Sequence, residues 1–94
     1  MMYKVHKIIQ IDDFAIVCQL NNGLQKRIEI LPLIEKHAHL NGINQLKVKA
    51  VFEKVNIGTM GELYWENLII SKSNEMWNYD ISPEYIYNNG VSID

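Results

Sequence analysis

The chain has 94 residues, an apolar fraction of 48% and a formal net charge of -2. This length fits a single domain, and the composition is that of a globular protein rather than a disordered one. The charge excludes a general attraction for phosphate backbones, because such binding needs clustered Lys and Arg. The single cysteine, Cys18, excludes an internal disulfide, and its alternation with Ile16 and Leu20 predicts a buried thiol.

Alternating apolar residues predict two strands at the N-terminal end. In residues 3–11, Val5, Ile9 and Ile11 share one parity, with Ile8 an exception, which predicts that these three form the inner face of a first strand. The pair Asp12-Asp13 predicts a turn. After it, every second residue of the next strand is apolar, and these residues are Phe14, Ile16, Cys18 and Leu20.

A tight hairpin turn is predicted at Asn21-Asn22-Gly23, because Asn and Gly reach positive φ angles most easily. Residues 24–30 form the return strand. Its inner face is predicted to carry Leu24, Ile28 and Ile30, with the aliphatic stem of Lys26 among them. The three strands together predict an antiparallel meander.

Helices and a second hairpin are predicted for the middle of the chain. Leu31-Pro32 opens a helix that ends before Asn41-Gly42, since proline fits a first helical turn. Residues 45–52 fit either a strand or a helix, and helical spacing is favoured. Residues 55–57 and 63–65 flank a glycine-containing bend at 58–61, which predicts the second hairpin.

The clearest local signal lies near the C-terminal end. Ser82 offers a hydroxyl to cap a helix, and Pro83 fits the first helical position. This helix is predicted to end near Asn88-Asn89-Gly90, with Gly90 left-handed. The preceding segment, 66–79, is predicted to be an extra hairpin or a flap. The fold class is therefore α+β: one domain over 1–94, with an N-terminal meander, a second hairpin, helices on one face and a short C-terminal helix.

The order of these signals resembles a bacterial family catalogued as domain of unknown function 2442, over residues 5–87. The segment 28–34 resembles the family's Val-Asp-Leu-Ser-Pro-Leu-Leu stretch, and 80–87 resembles its closing Asp-Leu-Ser-Pro-Glu-x-Leu-Tyr. Leu31 stands where the family often has a small polar cap, which predicts a short or irregular first helix. The resemblance implies a sheet covered on one face by helices. It implies no established activity, but some family members resemble partners of small, toxin-like proteins. The expected function is therefore a non-enzymatic protein-interaction module, an accessory or antitoxin-like partner of a small bacterial protein.

The residues that could carry chemistry favour structural roles. His37 and His39 point about 200° apart on a helix, so they do not form a ligand pair. Acidic side chains would need a pocket that brings two of them together. No catalytic, metal or cofactor site is therefore predicted. A small-ligand or enzymatic site remains the alternative, and it would require a pocket that joins groups such as Asp80, Glu66 or His6.

Aromatic residues gather in the last third of the chain and give the best functional indication. Trp and Tyr are favoured anchors of protein interfaces, although core packing is their more common role. The predicted interaction surface consists of Trp65, Trp77, Tyr79 and Tyr85. The partner is predicted to be a protein, either a second copy or the product of a neighbouring gene. Neither a membrane nor a nucleic acid is expected, and the predicted location is the cytoplasm.

Overall fold

The computed structural model describes residues 2–93, which form seven strands, three α-helices and one 3₁₀ helix. The first antiparallel sheet has the order β1-β2-β3-β7, with the bounds Val5–Asp12, Ala15–Leu20, Gln25–Glu29 and Val91–Ile93. The second has the order β4-β5-β6, with the bounds Asn56–Ile57, Leu63–Ile70 and Met76–Ile81. The predicted α+β class is confirmed, as are the N-terminal meander and the short C-terminal helix.

The first strand is irregular, and this changes which residues face the core. The register between β1 and β2 shifts twice, and each shift places one extra residue on β1, first His6 and then Ile9. Each bulge reverses the parity of the residues that follow. Ile8 therefore packs against the core together with Val5 and Ile11, whereas Ile9 is 42% exposed. The prediction that Ile9 faces inward was wrong for this reason.

Strands β2 and β3 follow the prediction except at their ends. The turn between them lies at Asn21-Asn22-Gly23, and Gly23 has φ 90. Phe14 lies in the preceding turn at φ 59 rather than on the face of β2, and Leu24 is exposed just before β3. Lys26 is buried as predicted, with its ammonium 2.9 Å from the Ser92 hydroxyl and 5.1 Å from the ring centroid of Tyr87.

The segment after β3 forms short helical pieces. Helix α1, Leu31–Lys36, begins without a side-chain cap and ends earlier than predicted, in agreement with the missing polar residue at Leu31. A 3₁₀ helix (Ile43–Lys47) and α2 (Lys49–Phe52) occupy the stretch that was ambiguous between strand and helix. Gly42, at φ 105, lies so close to the Leu68 carbonyl that a Cβ at this position would collide with it.

The last helix, α3 (Pro83–Asn89), begins as predicted, because the Ser82 hydroxyl accepts a hydrogen bond from the Tyr85 N–H at 3.1 Å. Its end differs from the prediction. Gly90 has φ -73 and ψ 154, so the chain continues in an extended conformation into β7. A Cβ on Gly90 would lie 2.6 Å from the Ile86 carbonyl oxygen, so a close approach of the backbone, rather than a left-handed conformation, favours glycine here.

The core lies between the inner faces of the two sheets and the helices. It is built from Ile16, Cys18 and Ile28 of the first sheet, Leu63, Trp65 and Tyr79 of the second, and Ile34, Leu46, Phe52 and Ile86 of the helices. Burial raises the pKa of the Cys18 thiol to about 11. None of the helices in residues 2–93 is long and apolar enough to span a membrane.

Candidate functional site

The hairpin formed by β5 and β6 contains both tryptophans, and its two ends differ. At the end nearer the core, Leu63 pairs with Ile81 and Trp65 pairs with Tyr79. At the other end, Ile69 pairs with Trp77 and Ile70 pairs with Met76. Residues 63–65 and 79–81 are called the covered half here, and residues 69–70 and 76–77 the open half.

Trp65 anchors the covered half. Its side chain is 1% exposed, and its indole N–H donates a hydrogen bond to the Phe52 carbonyl oxygen at 2.9 Å. The Phe52 ring stacks on the indole with a centroid distance of 5.8 Å, and the Tyr79 ring lies 6.1 Å away. The apolar body of Trp65 and its polar N–H are therefore both satisfied within the fold.

Tyr79 closes the covered half against α1. It is 6% exposed, and its hydroxyl lies 2.7 Å from Nδ1 of His37. Burial raises the pKa of Tyr79 to about 12, so the hydroxyl stays protonated and can donate a hydrogen bond to this ring nitrogen when the His37 proton is on Nε2. The pKa of His37 is lowered, first by burial and then by the charges of Lys36 and His39. This lowered pKa favours a neutral His37, one of whose two tautomers accepts the hydrogen bond of Tyr79 at Nδ1.

The predicted interaction surface therefore loses two of its four residues. Trp65 and Tyr79 are core residues, and their assignment to a surface was wrong, because Phe52 and His37 cover them from distant parts of the sequence. Tyr85 on α3 is half-buried and packs against the core. Trp77 alone is fully consistent with an exposed surface.

The open half begins where β5 bulges. Three residues of β5 lie between Trp65 and Ile69, whereas one residue of β6 lies between Tyr79 and Trp77. Asn67, at φ 50, occupies the bulge, and its N–H donates to the side-chain oxygen of Asn78 at 3.1 Å. Past this point β5 is still contacted, since the Ile70 N–H donates to the Asn41 carbonyl oxygen at 2.9 Å, whereas Met76 and Trp77 of β6 are exposed.

Trp77 and Met76 are the exposed side chains of the open half. Trp77 is 59% exposed and Met76 is 51% exposed, whereas their partners Ile69 and Ile70 are half-buried. Cross-strand partners share a face, so one pair lies on each side of the hairpin. Sequence reasoning missed Met76. The signal was available, since the polar turn 71–74 places Met76 near the end of the hairpin.

A cleft of about 280 Å³ lies between α1, β6 and α3. Its walls include Leu33, Lys36 and His37 on one side and Tyr85 on the other. This volume is slightly below the range of about 300–1,000 Å³ that is usual for small-molecule sites. The cleft borders the same strand, β6, that carries the open half.

A cleft of about 500 Å³ lies beside the β1–β2 turn and has mixed charge. The Arg27 guanidinium there bonds the carboxylates of Asp12 and Glu29. A hydrogen bond from Gln10, followed by one from Arg27, lowers the pKa of Asp12. Lys47 and Glu53 line the opposite wall. Arg27 is thus already engaged by two carboxylates of this chain.

The residues named for the ligand or enzyme alternative are only partly brought together. Glu66 and Asp80 line one shallow cleft of about 220 Å³ on the outer face of the second sheet. His6 lies on β1 in the first sheet, and it does not line that cleft. Among residues 2–93, no group of three His, Cys, Asp or Glu side chains is placed to hold a metal ion.

Comparisons of the chain with protein-family models, with curated proteins and with solved structures found no match. The structure itself defines a small α+β domain of two antiparallel sheets that buries one of its tryptophans and exposes the other on a projecting hairpin.

Proposed function

We propose that this chain is a non-enzymatic protein-interaction module that binds its partner through the open half of the β5–β6 hairpin. The observation that carries the proposal is the exposure of Trp77, at 59%, beside an exposed Met76. Large aromatic side chains that dominate binding energy lie at interface centres, and Met is also enriched there. Trp77 fits that composition, and Met76, on the opposite face of the same hairpin end, adds a second exposed apolar side chain.

The position of these two residues supports the proposal further. They lie on a strand whose covered half is anchored through Trp65 and Tyr79, so the fold holds the exposed end in place. A rigid scaffold lowers the conformational entropy that binding would otherwise cost. Trp77 can therefore contact a partner without first being ordered.

The resemblance to the family of domain of unknown function 2442 supports a narrower form of this proposal. In that form, the chain is an accessory or antitoxin-like partner of a small protein in the bacterial cytoplasm. The single, buried Cys18 fits a reducing compartment.

The test is binding by matched variants. The wild-type chain, tagged, is used to purify its cellular partner, and the purified partner is then titrated against Trp77→Ala and Met60→Ala by calorimetry. Met60 has the same exposed fraction, 59%, but lies in the β4–β5 turn. We expect Trp77→Ala to weaken binding about tenfold or more and Met60→Ala to leave it unchanged. Equal affinities for the two variants would contradict the proposal.

A further inference from the structure

The four edge strands of the two sheets differ in how well the fold protects them. Edge strands present unpaired N–H and C=O groups, and proteins usually blunt them with bulges or short lengths. Strand β1 carries two bulges, and its first residue, Val5, bonds the Gly61 carbonyl at 2.9 Å. Strand β4 has two residues and β7 has three. Strand β6 is the long edge without such protection.

Strand β6 has six residues and is regular, because the extra residues of the hairpin bulge belong to β5. Within residues 2–93, no backbone group of β6 forms a hydrogen bond outside its pairing with β5. In an extended strand, every second residue directs its N–H and C=O away from the paired neighbour. These groups form a row that one more strand can join.

The charge around β6 indicates which kind of segment can pair with this strand. Residues 62–84 contain five carboxylates and one lysine, whereas residues 1–61 contain eight Lys or Arg and five Asp or Glu. Two of the carboxylates, Glu75 and Asp80, flank the exposed part of β6. A basic segment is favoured beside them, and Lys or Arg can also stack on the exposed face of Trp77.

We propose that β6 accepts an extended, basic segment of a partner protein, which adds to the second sheet as a fourth strand. This inference rests on the proposed function, since it names the kind of segment that the interaction module binds. Backbone hydrogen bonds hold such a strand, and side chains provide its specificity. Lys36 and His37 border β6 beside Tyr79, so the segment starts at the opposite end, next to Met76.

A second copy of the chain is a poorer occupant of this edge. Symmetric pairing of two β6 strands would bring two acidic hairpins together, and opposing like charges are destabilising. A basic partner gains from the same charges. The acidic surplus therefore favours a different protein over self-association.

The experiment uses a phage-displayed library of random linear peptides, selected on the full chain and counter-selected on Trp77→Ala. We expect enriched peptides in which apolar residues alternate with Lys or Arg. An enriched peptide is then synthesised in two forms, one of them N-methylated at alternate backbone amides. Because N-methylation removes donors and blocks strand pairing, it should abolish binding, as measured by the change in tryptophan fluorescence.

Charge variants provide the second arm. Glu75→Gln and Asp80→Asn should each lower the affinity for the enriched peptide about two- to fivefold, and this effect should be smaller in high salt. Asp13→Asn, on the exposed turn of the other sheet, is the matched control and should leave affinity unchanged. Enrichment of neutral or acidic peptides, no enrichment, or binding that survives N-methylation would overturn the inference.

The outcomes separate this inference from the proposed function. If the peptide arm fails while Trp77→Ala still weakens the cellular partner, strand addition is wrong and the interaction module stands. If Trp77→Ala leaves the cellular partner bound, the proposed function itself is wrong. Sedimentation of the chain alone provides a further check: a dimer that Trp77→Ala dissociates would show that a second copy occupies β6.

Discussion

The covered and open halves of the β5–β6 hairpin share two strands and one type of residue pair, yet they differ in almost every physical respect. Each half opposes an aromatic residue of β6 to a large side chain of β5. Trp65 is 1% exposed and hydrogen-bonded, whereas Trp77 is 59% exposed. The difference comes from elements remote in sequence, which bury Trp65 and Tyr79 and leave Trp77 and Met76 exposed. The exposure of an aromatic residue is thus set by the elements that pack over it rather than by the strand to which it belongs.

The largest expected effect concerns Trp65. Trp65→Ala should lower the free energy of unfolding by about 3–5 kcal/mol, because it leaves a cavity and strips the Phe52 carbonyl of its donor. Urea denaturation followed by circular dichroism measures this change. Should the alanine variant not fold, Trp65→Phe provides a milder test with the same sign. A loss no larger than that of Trp77→Ala would contradict the comparison between the two halves.

A smaller effect is expected from the hydroxyl that closes the covered half. Tyr79→Phe removes the hydroxyl that is hydrogen-bonded to His37 and should cost about 0.5–1.5 kcal/mol of stability. The matched control is Tyr64→Phe. Tyr64 precedes Trp65 on β5 and lies on the outer face of the sheet, so we expect no comparable loss of stability. Equal urea midpoints for wild type and Tyr79→Phe would show that this hydrogen bond adds nothing to the covered half.

The same contact gives a modest dependence of stability on pH. The pKa of His37 is lowered from 6.5 in the folded chain, so the unfolded chain takes up the proton first as the pH falls. The contribution of His37 to stability should therefore be constant above its unfolded pKa, decline as the pH falls through that value, and level off below the folded pKa. Urea midpoints across this range measure the decline, which His37→Gln should reduce and His6→Gln should leave in place.

The smallest effect on stability is expected in the open half. Trp77→Ala should change the free energy of unfolding by no more than about 0.5 kcal/mol, because the side chain is mostly in solvent. Urea denaturation on the same scale as for Trp65→Ala measures it. A loss of several kcal/mol would place Trp77 in the structural core and remove the contrast on which the proposed interface depends.

Local signals were predictable from the sequence, and long-range ones were not. The Ser82 cap and the Asn21-Asn22-Gly23 turn depend on a few adjacent residues, and both are confirmed. The inward position of Ile8 depends on bulges, which follow from the pairing with β2 and leave no trace in a simple alternation. Glycine is favoured at position 90 because a Cβ there would collide with the Ile86 carbonyl oxygen. The tendency of glycine to adopt left-handed conformations does not predict this contact.

The candidate site was predictable only in part for the same reason. The aromatic surplus correctly drew attention to the last third of the chain, and Trp77 is exposed there. The separation of Trp77 from Trp65 and Tyr79 could not be predicted, because Phe52 and His37 reach the hairpin only in the folded chain. Strand β7 was missed altogether, since its three residues are all exposed and carry no alternation.

The contact between the two ends of the chain has a consequence for biosynthesis. The Tyr3 ring stacks on Tyr87 at 4.1 Å, Ile86 is fully buried, and β7 pairs with β3. A ribosome releases residues 3–30 long before residues 83–93, so the meander must wait for the segment that completes its sheet and covers its core. Contacts between such distant residues form slowly. During translation the nascent meander therefore exposes apolar side chains until residues 83–93 emerge and shield them.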